Sequence, residues 1–375
     1  MKIIADDKIP YLKGVLEPFA EVVYVPGSMI NNGTLKNADA LLTRTRTRCN
    51  KDLLGGTSVQ FIGTATIGYD HIDTDWCNKQ GIVWKSAPGC NASSVNQYIA
   101  SVLITLAGRF GFSLKNRALG VVGVGNVGSR VVKTAELMGM KVYLCDPPRV
   151  RSEGACGFIS LEGILRECDI ISFHVPLNHS GIDKTFHMID HELLECMNPG
   201  TIIINSSRGE VSNGNALKEA LRHDRIGGLV LDVWENEPDI DHGLLQVCSL
   251  ATPHIAGYSA DGKAMGTAMV VRELSRHFNL GIDDWETNDI PDPVNPEIRI
   301  DCEGLTHEEV ISRVVLHTYR VSDDDRRLRE TPSGFEKQRG EYPLRREFKA
   351  YTIIPDHADP VLMKTCQRLG FHIKN

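Results

Sequence analysis

The chain opens with short apolar runs, at residues 2–6, 21–25, 40–43, 60–62 and 82–84, separated by turn residues and polar stretches. Strands recurring with helical segments between them predict a small parallel α/β unit. From about residue 91 to 108 the apolar positions recur at helical spacing, which predicts one long helix. A second series of runs follows at 119–123, 141–145, 170–174, 201–205, 228–232 and near Leu250. Most are almost continuously apolar and β-branched, as strands covered on both faces must be. A further helix over 260–278 is expected to return the chain to the first unit and make that unit discontinuous. After Gly281 the character changes: residues 283–296 are acidic and proline-rich and read as a linker. Beyond it the pattern predicts an amphipathic helix over 308–319, a solvated charged loop around 323–329, a strand over 350–354 and a final helix. The stripe Val310, Ile311, Val314 and Val315 is expected to be core or subunit contact.

Composition narrows the function. A chain of 375 residues exceeds one ordinary core and predicts two or three domains. Its net charge of −7 argues against nucleic acid as a partner, so a small anionic ligand must be held by local arginines. No apolar run reaches the ~20 residues that cross a bilayer, and the N-terminus lacks the apolar stretch of a signal peptide. The ten cysteines are scattered singly, which predicts no metal site, no disulfide framework and reduced thiols in the cytoplasm. His187 and His191 are one helical turn apart, but no glutamate follows the first, so a zinc peptidase is rejected.

The chemistry starts at Gly123-Val124-Gly125-Asn126-Val127-Gly128, which follows a strand and opens a helix. The first glycine permits a tight turn and the second lets the backbone approach a pyrophosphate. The third lets helix and strand pack closely, and the helix N-terminus attracts the phosphate charge. Asp146, at the end of the next strand and about 20 residues on, would accept the ribose hydroxyls and repel a 2′-phosphate. NAD is therefore the expected cofactor, a preference that Arg149 and Arg151 nearby weaken only slightly.

Three more groups fall just past strand ends, where an open parallel sheet presents ligands. They lie in Ser206-Ser207-Arg208-Gly209, in Asp232 to Pro238, and in Thr252 to Tyr258. Oxidising a hydroxyl needs a base to take its proton while hydride leaves the same carbon. His254 suits that task near neutrality, Glu237 would hold its other ring nitrogen, and Arg208 would clamp a substrate carboxylate. Taken singly, each has a structural alternative; together at consecutive strand ends they predict a dehydrogenase.

These four motifs together resemble the D-isomer-specific 2-hydroxyacid dehydrogenases over about residues 1 to 281. The resemblance implies an α/β fold. A flavodoxin-like substrate domain would cover 1–93 and 258–282, and a Rossmann NAD domain 94–257. An α+β domain at 283–375 would make a homodimer. It makes Arg208, Glu237 and His254 the catalytic set, and places Asp146, Val175, Ser206, Ser207, Arg208, Asp232 and Gly257 around NAD beside the glycine loop.

The substrate is read from Thr43-Arg44-Thr45-Arg46-Thr47-Arg48, where period-two alternation would put Arg44, Arg46 and Arg48 on one face. That face is either a charge-guarded edge or a pocket for a second anion such as phosphate. Runs 63–66, 87–92, 144–149 and 254–258, and the stretch 344–348, are similar to one branch of the family. The likeness implies oxidation of 4-phospho-D-erythronate at C2, with Thr45, Thr66 and Tyr258 as substrate contacts. Arg44, Arg46 and Arg346 are the candidates for its phosphate. A phosphoglycerate or glyoxylate-type dehydrogenase is the alternative, and an NADH-sensing corepressor a remote one.

Overall fold

The structure, a computed structural model, describes residues 1–287 and 289–374. Packing divides the chain into two units: Met1–Asn91 with Ser259–Pro291, and Ala92–Tyr258 with Asp292–Asn375.

In the first unit the apolar runs form β1 (Lys2–Asp6), β2 (Glu21–Val25), β3 (Ala40–Thr43), β4 (Phe61–Thr64) and β5 (Val83–Lys85). They pair in parallel in the order β2-β1-β3-β4-β5. The helix Ala260–Phe278 belongs to this unit, because its apolar face has nowhere else to be buried. Val270, Val271 and Leu274 share a core with Ile3, Leu42 and Phe61. A Cβ on Gly63 would stand 2.5 Å from Val270, so glycine at this point of β4 is what lets the helix lie close.

The second unit carries β6 (Ala118–Val122), β7 (Lys141–Cys145), β8 (Ile170–Phe173), β9 (Ile202–Asn205), β10 (Gly228–Leu231) and β11 (Leu250–Ala251). The order is β11-β10-β9-β8-β6-β7, and every pairing is parallel. The chain runs from β6 outward to β7, then returns to β8 on the other side of β6. Such a reversal opens a crevice at the carboxyl ends of the strands, which is where α/β sheets bind ligands.

Residues 292–375 add β12 (Glu297–Asp301), β13 (Thr352–Asp356) and β14 (His372–Ile373), a parallel sheet in that order. Only β13 is apparent from the sequence; β12 alternates buried Ile298 and Ile300 with exposed charges, and β14 is two residues long. The charged stretch expected as a solvated loop is instead the helix Val321–Glu330, with Asp324 and Asp325 buried. Their carboxylates tolerate burial because each is hydrogen-bonded. Asp324 accepts from the Tyr319 and Tyr342 hydroxyls at 2.8 and 2.7 Å. Asp325 accepts from Ala251 N–H on β11 at 2.8 Å and from Arg329 at 2.9 Å. Val310, Ile311, Val314 and Val315 are core, in one cluster with Tyr98 and Leu103 of the helix Ala92–Phe110. Among the described residues no helix is long and apolar enough to cross a membrane.

Candidate active site

The glycine turn leaves β6 with three glycines in three situations. Gly123 has φ 87°, and a Cβ there would meet His174 O at 2.6 Å. A Cβ on Gly128 would stand 2.0 Å from Gly123 O, so this residue seats the helix Gly128–Leu137 on the turn. Around Gly125 nothing lies within 4 Å, which leaves its face open to a ligand. Asn126 is exposed and Val127 half-buried. No side chain caps the helix at Val127, and Ser129 and Arg130 N–H bond to Gly125 O and Val127 O at 3.0 and 2.9 Å, so the helix start offers an anion chiefly its dipole.

Asp146 ends β7 and caps the helix Pro147–Glu153 through Arg149 N–H at 3.1 Å. Its other oxygen accepts Val124 N–H at 2.8 Å, which ties the acid to the glycine turn. Arg149 is paired with Glu153 and donates to Val124 O at 2.9 Å, while Arg151 is paired with Asp183. Both guanidinium charges are therefore offset by carboxylates, which fits NAD better than a 2′-phosphorylated cofactor. Val175 packs against Gly123, and Ser207 donates through Oγ and N to Asn205 at 2.7 and 3.0 Å. The Ser206 hydroxyl is buried without a hydrogen-bond partner. A buried orphan hydroxyl and an open glycine at a helix start together suit a dinucleotide.

Past β10 and β11 two of the expected groups, Glu237 and His254, meet. His254 Nδ1 is 2.7 Å from Glu237 Oε2, and Glu237 Oε1 accepts Trp234 N–H at 2.9 Å. Burial pushes the Glu237 carboxyl up. The His254 hydrogen bond and charge, the Trp234 amide and the Arg339 guanidinium outweigh it and hold the carboxyl below its ordinary value. His254 itself has φ 55°, a left-handed conformation uncommon outside glycine and characteristic of functional turns. Asp232 over-determines that turn. Fully buried, it accepts from the Thr252 hydroxyl at 2.7 Å and from Ile255 and Ala256 N–H at 2.8 and 2.9 Å. Thr252 in turn meets Tyr98 Oη at 2.9 Å. Burial raises the Asp232 carboxyl, against the His254 charge and these hydrogen bonds.

Arg208 follows β9 and donates to Ser207 O at 2.8 Å. Gly209 beside it has no room for a side chain: a Cβ would sit 2.0 Å from Trp234 C and O. The turn bearing Arg208 is thus pressed onto the loop bearing Glu237. Gly257 and Tyr258 close the His254 turn through Tyr258 N–H to Ile255 O at 2.8 Å.

The first unit corrects one expectation. β3 stops at Thr43, and residues 44–48 form a turn in which the alternation fails and the three arginines do not line a strand face. The physical reason is local hydrogen bonding: Thr43 Oγ1 donates to Arg44 O, and Thr47 Oγ1 donates to Gly27 O, both at 3.0 Å. Thr45 and Arg46 are exposed, and Arg44 donates to Lys8 O at 3.1 Å. Thr66 Oγ1 lies 2.7 Å from Thr64 Oγ1 and 2.9 Å from Gly68 O. In the second unit Arg346 is buried, 3.9 Å from Asp292, and its carbonyl accepts from Gln97 at 2.9 Å.

Sequence reasoning missed Tyr98, Thr252 and Arg345. Arg345, buried beside Arg346, donates to Ala256 O and stacks 4.5 Å over the Tyr319 ring. Thr252 lies inside the motif that ends in His254, and a hydroxyl at a buried strand end was the available signal.

Comparison with known proteins places the chain in a family. Residues 95–256 match the D-isomer specific 2-hydroxyacid dehydrogenase NAD binding domain, and residues 291–370 match a domain of unknown function. The chain is 48% identical to an erythronate-4-phosphate dehydrogenase of Bacteroides thetaiotaomicron, covering 94% of this chain and 99% of that one. It is 41% identical to the one from an Enterobacter species, covering 99% and 98%. Among solved structures it is similar to D-lactate dehydrogenase from Aquifex aeolicus complexed with NAD and lactic acid. There the TM-score is 0.62 and the identity 26%, over 76% of this chain and 96% of that one.

Proposed function

We propose a function from the premise that the chain belongs to the D-isomer specific 2-hydroxyacid dehydrogenases and, within them, to the erythronate-4-phosphate dehydrogenases. It oxidises 4-phospho-D-erythronate at C2 to 3-hydroxy-2-oxo-4-phosphooxybutanoate, with hydride transfer to NAD, as a step of pyridoxal phosphate biosynthesis. The observation that carries this reading is the 2.7 Å contact between His254 and Glu237 at the crevice end of the sheet.

Bound NAD supplies the acceptor for the hydride. Gly123, Gly125, Asn126, Val127 and Gly128 hold its diphosphate, with Asp146, Val175, Ser206, Ser207, Arg208, Asp232 and Gly257 around the rest. Arg208 clamps the substrate carboxylate and polarises the carbonyl as it forms. His254 Nε2 takes the C2 hydroxyl proton, while Glu237 fixes the tautomer through Nδ1 and stabilises the imidazolium. Thr45, Thr66 and Tyr258 contact substrate, and Arg44, Arg46 and Arg346 hold its phosphate. Residues 292–375 form a homodimer contact, a role supported by exposed Val294, Leu344 and Val361. The enzyme works in the cytoplasm, a reading that rests on ten cysteines scattered singly along the sequence.

The test is the rise of NADH absorbance when 4-phosphoerythronate is added to protein and NAD. His254→Ala is expected to abolish it. Turnover of 3-phosphoglycerate or glycerate, with none of 4-phosphoerythronate, would reassign the substrate. Arg44→Ala and Arg46→Ala should harm phosphorylated substrate more than an unphosphorylated analogue; equal effects would remove their phosphate role.

A further inference from the structure

We propose that Arg339, from the segment whose family model is a domain of unknown function, is a positioning residue for the Glu237–His254 pair and adds a fixed cation to it. This inference deepens the functional reading above and rests on it.

Arg339 lies on the helix Phe335–Gly340, about a hundred residues beyond Glu237 in sequence. Its side chain is 19% exposed. The guanidinium is wedged between two rings, 5.7 Å from the centre of Tyr258 and 5.8 Å from that of Phe335. One nitrogen pairs with Glu336 at 2.5 Å, while Nε is buried without a hydrogen-bond partner. A surface ion pair with Glu336, one turn away, would not require desolvating the cation beneath Tyr258. Removing it from water in this way costs free energy, and it also lets the charge act on its neighbours through a low dielectric. Those neighbours are Tyr258, Glu336 and Glu237, and Glu237 in turn responds to Arg339. Tyr258 belongs to the turn that carries His254, so the same guanidinium packs on the histidine turn and acts on the histidine's carboxylate.

The chemistry gives such a cation a purpose. A carboxylate on one ring nitrogen favours the protonated imidazole, and a fixed positive charge nearby opposes it. An alcohol-oxidising base must be neutral at the start of each turnover, so a counterweight to Glu237 keeps the base available near neutrality. The charged and titratable groups around the pair are Arg339, which acts on Glu237 and is itself flanked by Tyr258 and Glu336, buried Asp232 at the strand end, and Arg345, which donates to Ala256 O of the same turn.

The experiment is the pH dependence of kcat/KM for 4-phosphoerythronate oxidation by the full-length protein and three variants. Arg339→Gln is expected to move the acid-side limb upward by roughly half a pH unit or more, because the imidazole then keeps its proton to higher pH. Arg339→Lys should bring the limb back toward that of the unsubstituted protein. Glu336→Gln removes the carboxylate that offsets Arg339 and should move the limb the other way. Limbs that coincide in Arg339→Gln and Glu336→Gln would overturn the proposal, even if rates or melting temperatures fall. Should Arg339→Gln not fold, the Glu336→Gln limb alone decides. Failure of the unsubstituted protein to oxidise 4-phosphoerythronate would instead remove the substrate reading, and the profiles would be taken on whichever 2-hydroxy acid it does oxidise. With no 2-hydroxy acid oxidised at all, both fall together.

Discussion

Gly125 and Gly209 sit in two of the motifs, yet structure separates their duties. Gly209 is required by packing: a Cβ there would collide with the Trp234 backbone at 2.0 Å, and neither loop has a flexible side chain that could yield. Gly209→Ala is expected to cost about 2 kcal/mol or more in chemical denaturation. It should also lower kcat, because it pushes the Arg208 turn away from the loop that carries Glu237. Gly125 is required by nothing within the protein, since its face is open to 4 Å. Gly125→Ala should therefore leave the denaturation midpoint unchanged and raise the KM for NAD about tenfold, equivalent to ~1.4 kcal/mol of lost approach to the diphosphate. An unaltered KM would mean that the dinucleotide does not lie on this face. The same contrast explains His254. A histidine at φ 55° is held there by three hydrogen bonds to one buried carboxylate, so Asp232 shapes the turn that carries His254.

At the scale of elements, β8 shows how a strand end can record pH. His174 follows it, is half-buried, and its ring meets the Ser172 hydroxyl at 2.9 Å. Burial pushes its imidazole down to about 4. The folded protein then keeps His174 neutral while the unfolded chain takes up the proton at the ordinary imidazole value near 6.5. Between about pH 6.5 and 4 the unfolded state binds more protons, so stability falls as pH falls, by roughly 3 kcal/mol across the window. His174→Asn should melt with a visibly shallower pH dependence over that range; parallel curves would refute the assignment. The strands themselves were legible in the sequence because parallel strands buried on both faces must be continuous apolar runs, and 170–173 or 202–205 read no other way. Likewise the pairing of Glu237 with His254 was legible, since the two follow consecutive strands. What periodicity could not carry is a polar residue turned inward by hydrogen bonds. Asp324 and Asp325 looked solvated because charge usually is, and Arg345 could not be told from Arg346 because no repeat spans the turn that presents them. Alternation also misread 44–48, where two threonine hydroxyls bond to backbone and bend the chain out of the strand.

For the molecule as a whole, the decisive feature is that residues 292–375 share the interior of the nucleotide-binding unit. The helix Ala92–Phe110 buries Ser94, Gln97 and Ser101, polar side chains that a lone helix against a sheet would not place inside. Each donates to the later segment: Ser94 to Glu347, Gln97 through Nε2 to Thr318 and Arg346, and Ser101 to Tyr319 O. Val321 N–H returns a bond to Ser101, and Asp325 takes the Ala251 amide at the edge of the sheet. Around these bonds Val310, Val314 and Phe348 join the cluster that contains Tyr98, Leu103 and Leu119. Cutting the chain after Pro291 would therefore turn an apolar face out to water, each large apolar side chain so exposed costing about 1.5–3 kcal/mol. Against a total stability of about 5–15 kcal/mol, that loss is not survivable by the remaining unit. A protein of residues 1–291 is expected to show no cooperative melting transition and to be cut rapidly by protease within 92–110. If it instead melts cooperatively near the full-length midpoint, the shared interior is not what holds the dehydrogenase together. The consequence for function follows from the same contacts. The segment that supplies Arg345 to the His254 turn, and Arg339 to its carboxylate, is also the one that keeps the sheet carrying them folded.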